Sequence, residues 1–200
     1  MPSPLQFHFD FSSPYGYLAS ERIGALAARH GRAVDWRPML LGAAFKATGS
    51  QPLTMIPLKG EYTKHDLPRS ARFHGIELHM PSRFPIATQA PARIIVWQRE
   101  RDPGGCGALV KALYRAYFVA NRDISDPDVA ADVAAEAGAN RDGARAANDD
   151  PAIKDALRRD VDAAIAKGVF GSPFIFVDGE PFWGNDRFDQ IERWLAQDGF

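Results

Sequence analysis

Residues 11–17 read Phe-Ser-Ser-Pro-Tyr-Gly-Tyr, and how they are read decides the fold. They continue a run, LQFHFDF, in which Phe7, Phe9 and Phe11 alternate with Gln6, His8 and Asp10. A period of two marks a half-buried strand, expected over 6–11. From 14 to 30 the period changes. Tyr15, Ala19, Ile23 and Leu26 share one helical face, Arg22 lies awkwardly near that stripe, and Gly31 is a plausible stop. A strand therefore becomes a helix within Ser12-Ser13-Pro14. Ser13 reads as the N-cap and Pro14 as the first helical residue, where a missing N–H costs nothing. The same place is the positive end of a helix, where an anion is held. The two readings are compatible.

Outward from this stretch, AVDWRPMLL (33–41) reads as a second strand, with Pro38 arguing for an edge or an early end. The chain so far is β-α-β, which suggests a parallel pair. From about 60 to 167 alanine-rich helical patterns take over. Helices are expected over 61–74, 88–101, 107–121, 126–137 and 150–167. Asp126-Pro127 and Asp150-Pro151 supply start signals for the last two. Pro68 is expected to break or kink the first. The loop HMPSRFP, 79–85, is too proline-rich for a helix. Strands then return. FIFV (174–177) is a short buried type, Asp178-Gly179 a hairpin turn, 181–183 the returning strand, and 186–196 a closing helix. The order β-α-β, helical block, β-β-α is that of an α/β, thioredoxin-like fold interrupted by a large all-helical insertion. The expected division is 1–58 with 165–200 as the thioredoxin-like unit and 59–164 as the insertion.

The totals agree with one domain carrying an insertion: 200 residues, of which 46% are hydrophobic. A net charge of −1, with basic and acidic residues interspersed, gives no electrostatic footprint for nucleic acid. No apolar run approaches the roughly 18 residues of a membrane span, and the N-terminus lacks a signal-peptide pattern. A cytoplasmic protein is expected, with no membrane partner. The single cysteine, Cys106, forms no internal disulfide and reads as incidental. His65, His74 and His79 lack metal-ligand spacing, so no metal is expected.

Thioredoxin-type folds carry Cys-x-x-Cys where the first strand feeds the first helix. Here that position reads Ser13-Pro14-Tyr15-Gly16. With both cysteines missing, thiol–disulfide exchange from this site is excluded, yet a serine hydroxyl can donate to another molecule's thiolate. Gly171-Ser172-Pro173-Phe174 precedes FIFV, where such folds present a backbone next to a cis proline. The Ser172–Pro173 bond is therefore expected to be cis. Trp183-Gly184-Asn185-Asp186-Arg187 opens the last helix. It reads as a cap, or as a holder for an α-amino-acid end, with N–H groups for the carboxylate and Asp186 for the ammonium. Lys59, Tyr62 and Arg83 fall in segments facing the cleft between the two parts. Each is a surface residue or a partner for a substrate carboxylate.

Taken together, FDFSSPYGYLA, WRPMLLGAAFKATGSQP, PLKGEY, MPSRFP, GVFGSPFIFVDG and FWGNDRF resemble one family across nearly the whole chain. It is the 2-hydroxychromene-2-carboxylate isomerase family, within the kappa-class glutathione transferase branch of DsbA-type thioredoxin folds. The resemblance implies glutathione as cofactor and a small aromatic carboxylate as substrate. It implies Ser13 as the catalytic serine facing the glutathione sulfur. Ser172, with Pro173 behind it, would pair its backbone with the cysteinyl unit, and Asn185 and Asp186 would hold the γ-glutamyl end. Ser50 stands where the family often has a longer asparagine, and Gly16 where serine is common. A homodimer is also implied. Three activities stay open: an isomerase that returns its glutathione, a transferase that releases conjugates, and a non-catalytic glutathione-binding module.

Overall fold

The computed structural model describes residues 2–197 and 199–200. Strand β1 (Leu5–Phe9) leads into helix α1 (Pro14–Arg29), then β2 (Val34–Pro38) and α2 (Leu41–Thr48). The helical part follows: α3 (Lys59–His74), α4 (Gln89–Arg101), α5 (Cys106–Phe118), α6 (Pro127–Glu136), α7 (Arg141–Ala146) and α8 (Pro151–Ala166). The chain closes with β3 (Phe174–Val177), β4 (Glu180–Trp183) and α9 (Phe188–Gln197). The four strands lie in the order β2-β1-β3-β4, with β1 parallel to β2 and the other pairs antiparallel. This is the thioredoxin-like arrangement expected.

The register sorts side chains onto two faces. Phe7 is opposite Trp36 and Ile175, and Ile175 is opposite Phe182. These four join one buried cluster with Leu18, Ile23, Val110, Leu113 and Ile191. The other face carries Phe174 and Phe176, packed with Met39, Ala44, Ala164 and Val169 beneath α2 and α8. The first cluster crosses from the sheet into the helical part. Phe11 lies 4.9 Å from Tyr114, and Tyr17 stacks on Phe118 at 5.5 Å. One core therefore serves both parts.

Three expectations need correction. The second strand ends at Pro38, and Leu41–Thr48 is helix α2. Nothing local marks its start, because Leu40 in the capping position has no capping side chain. Helix α3 runs through Pro68 without a break. Proline removes one hydrogen bond, and here both Pro68 and Lys64 are exposed, so the carbonyl left over is open to water. Helix α7, not foreseen, is capped by Asn140, whose side chain accepts from the Gly143 N–H at 2.7 Å. The caps at Asp126 and Asp150 are as expected. Arg22 bends off its stripe, with its guanidinium over the Phe188 ring at 4.0 Å.

Candidate active site

Ser13 caps α1 with extended backbone, and its hydroxyl oxygen accepts from the Gly16 N–H at 3.0 Å. The hydroxyl proton goes to the Ser172 carbonyl at 2.8 Å. The Asp10 N–H returns a hydrogen bond to the Ser172 hydroxyl at 3.0 Å. The Ser172–Pro173 bond is cis, as its place before β3 predicts. Two loops 159 positions apart are thus joined by reciprocal hydrogen bonds. Glycine at 16 leaves these groups where they are, and a side chain there would shift them. A Cβ there would come within 2.6 Å of the Tyr114 hydroxyl and 2.8 Å of the Ser172 hydroxyl. Tyr114 itself donates to the Asp10 carbonyl at 2.8 Å.

The Asp10 side chain is buried at 3% exposure. One carboxylate oxygen accepts from the Ser12 N–H at 2.7 Å. The other accepts from the Leu41 N–H at 2.7 Å and from the Thr88 hydroxyl at 3.1 Å. Asp10 therefore supplies from a distance the cap that α2 lacks locally. Burial pushes its carboxyl up to about 6, against the opposing pull of these three donors.

A cavity of about 790 Å³ opens above this floor, lined among others by Ser13, Tyr15, Ser50, Lys59, Ser172 and Trp183. That volume lies in the upper part of the range for small-molecule sites. Lys59 is the one cation on its wall among the described residues. A tight three-residue turn aims it: its N–H donates to the Pro57 carbonyl at 2.8 Å, and Leu58 takes φ +66°. Gly60 lets the start of α3 press against the preceding turn, since a Cβ would sit 2.6 Å from the Thr54 carbonyl oxygen. Tyr15 reaches out of the cavity wall to donate to Asp66 on α3 at 2.6 Å. Burial and that carboxylate hold its phenol well above the usual range.

The other expected site residues lie elsewhere. Pro173 is buried beneath Ser172 and stays off the cavity wall. Tyr62 accepts from Arg69 at 2.8 Å on the exposed side of α3. Arg83 pairs with Asp123 at 2.6 Å, away from the cavity. Asn185 is buried, with its side-chain oxygen and carbonyl both accepting from Arg22 at 3.0 Å. Asp186 is exposed and lies 3.3 Å from Arg187. Sequence reasoning passed over Asp10, Thr88 and Tyr114. Their one signal was an acidic residue inside an aromatic strand, FDF. Cys106 is buried off the cavity, and burial pushes its thiol up to about 11. Among the described residues no three of His, Cys, Asp and Glu gather as a metal site. Among the described residues no helix is long and apolar enough to cross a membrane.

Residues 4–196 match the model of the DSBA-like thioredoxin domain. The chain belongs to the DsbA-like thioredoxin-domain family. Within that DsbA-like family it is 31% identical to a 2-hydroxychromene-2-carboxylate isomerase of Sphingobium xenophagum, over 98% of this chain and 99% of that one. It is 24% identical to glutathione S-transferase kappa 1 of Homo sapiens, over 98% and 94%. A solved 2-hydroxychromene-2-carboxylate isomerase superposes with a TM-score of 0.86 at 26% identity, covering 96% of this chain and 94% of that one. These relatives place the chain among isomerase- and kappa-transferase-like members of the DsbA-like family. Ser13 and Gly16 stand where a disulfide-exchanging member needs cysteines.

Proposed function

We propose that this protein is a glutathione-dependent cis-trans isomerase of 2-hydroxychromene-2-carboxylate-type aromatic catabolites. The observation that carries the reading is the Ser13 hydroxyl, which lines the cavity and is hydrogen-bonded to the carbonyl that precedes the cis proline. The residues present fit glutathione. The wall offers a helix N-terminus, the Ser172 loop, Ser50, and Lys59 as a partner for a carboxylate. Bound glutathione would supply a thiolate that adds to a conjugated double bond and leaves again, the bond having turned while single.

The protein's own part is to hold that thiolate. Ser13 turns its hydroxyl from the Ser172 carbonyl toward sulfur. The Gly16 N–H, still donating to the same oxygen, polarises it. Together with the helix end this favours the anion, and a thiol lowered from about 8.5 to about 6.5 gains about 2.7 kcal/mol. Lys59 meets a carboxylate, on the substrate or on the tripeptide. Apolar wall residues such as Phe45, Phe84 and Ile86 receive an aromatic ring. Asn185 and Asp186 enter the reading only through the γ-glutamyl end of the tripeptide, beyond the cavity wall. A homodimer in the cytoplasm belongs to the same reading.

A transferase is the second reading, favoured by the similarity to kappa 1 over 98% of the chain. Stoichiometry separates the two. Trace glutathione should support many turnovers of a hydroxychromene carboxylate, and S-methylglutathione should not replace it. Free thiol falling one-for-one with substrate means a transferase. Full activity of dialysed enzyme without glutathione refutes thiol addition.

A further inference from the structure

Asp10 is the one carboxylate on the cavity wall among the described residues, and it takes no part in the mechanism above. Its three donors belong to three different walls. Ser12 is in the loop that carries Ser13, Leu41 is the first residue of α2, and Thr88 precedes α4. The geometry points to Asp10 as the positioning residue that shapes this cavity for glutathione, its ionised carboxylate holding three walls together, so that affinity falls when the carboxylate is protonated. This rests on the glutathione reading.

The chemistry follows from the donor set. An ionised carboxylate only accepts, and all three partners only donate to it. A neutral carboxyl is the weaker acceptor by roughly a factor of two, and it carries an O–H donor where the ionised group had only acceptors. The Thr88 hydroxyl can reverse, but the backbone N–H groups of Ser12 and Leu41 cannot. Protonation therefore weakens the hydrogen bonds that set the turn under Ser13 and the start of α2, two of the three walls, while it removes the cost of burying the charge, so the fold itself is kept. Among the described residues no guanidinium or ammonium is hydrogen-bonded to the Asp10 carboxylate. The groups facing Asp10 are Tyr114 and Tyr117 from α5, both of whose phenols feel its charge and the first of which donates to its backbone carbonyl, the Ser172 hydroxyl, which accepts from its N–H, and Lys59 across the cavity. Burial sets its titration near 6, within the range where an enzyme can be assayed.

S-methylglutathione is the probe, because it has no thiol to titrate. Its affinity is measured by titration calorimetry from pH 8 down to pH 5, or to the lowest pH at which far-ultraviolet circular dichroism is unchanged. Only about one molecule in ten is ionised one unit below the midpoint, so wild-type affinity should fall about tenfold by pH 5. Asp10→Asn should bind more weakly at pH 8 and show no step. Thr88→Val removes one donor to the carboxylate and should move the step to higher pH. If Asp10→Asn does not fold, the wild-type and Thr88→Val profiles decide. Absence of binding by wild type at every pH refutes the glutathione reading itself. Binding without a step, or a step that stays in place in Thr88→Val, overturns the role of Asp10.

Discussion

His8 and Asp10 lie two positions apart at the end of β1, both ionisable and both buried, and they have opposite surroundings. Asp10 has a donor for each of three acceptor positions. His8 packs edge-on against Phe176 at 5.7 Å, and its Nε2 has no partner. Burial, aided by Arg37 and Lys167, pulls its imidazole down to about 4. The two share a face of the strand and differ only in place: Asp10, just past its end, floors a cavity, and His8, within it, fills a core. Burial of a charged group type is thus no sign of function. What distinguishes the Asp10 side is that its carboxylate is met by donors from α2 and from the residue before α4 as well as from its own turn.

Replacing Ser13 is the strongest way to break this contrast. Ser13→Ala should lower kcat/KM about a hundredfold or more, the scale for losing a donor to a developing anion. Stability should drop by only about 1 kcal/mol, the value of a cap. Isomerisation followed by absorbance, beside a thermal melt, reads both. A wild-type rate would reduce the cavity floor to structural capping.

His8→Leu sharpens the contrast through pH. An unfolded histidine takes up its proton near 6.5, whereas folded His8 resists to about 4. Between those values the unfolded chain binds the extra proton, so stability falls as pH falls. Asp10 has the opposite sign. Its folded carboxyl binds a proton near 6 against 3.8 unfolded, so stability rises as pH falls through that window. In wild type the two slopes offset one another. His8→Leu should be more stable than wild type by about 2 kcal/mol at pH 5, and equal within about 1 kcal/mol at pH 8. Urea titrations at both pH values test this, and an equal difference at both would show that His8 does not titrate as a buried group.

Smaller effects concern the two basic residues expected to meet a carboxylate. Lys59→Ala, on the cavity wall, should weaken glutathione binding about fivefold. Arg83→Ala, which loses an exposed pair with Asp123, should leave that affinity unchanged and shift stability by no more than about 0.5 kcal/mol. Calorimetry of both variants in one buffer compares them. An effect of Arg83 as large as that of Lys59 would mean that the cavity extends beyond its present wall.

The parts of this site written in neighbouring residues were legible. The Ser13-Pro14 cap, the Ser-Pro before FIFV and the strand periods each declare themselves within a few positions. The parts that depend on distant partners were not. Helix α2 takes its cap from Asp10, 31 positions away. Arg83 looks available for a substrate until Asp123, 40 positions on, is seen to hold it. Asn185 reads as a cap, but its oxygens are taken by Arg22, 163 positions earlier. Local pattern reports what a residue prefers, and only the fold reports what already satisfies it.

The bond between Ser13 and the Ser172 carbonyl also governs when the cavity floor can first exist. Strand β1 pairs with β3 as Gln6 with Phe176, across the whole helical part. Closing so long a loop is entropically costly, and contacts of such sequence separation form slowly. At roughly 5–20 residues per second, a nascent chain carries Ser13 for many seconds before Ser172 is made. Throughout that time Asp10 and Ser13 each lack their bond to Ser172, and the first strand waits with one edge open. A ribosome-bound chain stopped before residue 165 should therefore hold helices without the finished cavity floor, which should appear only with the last strands.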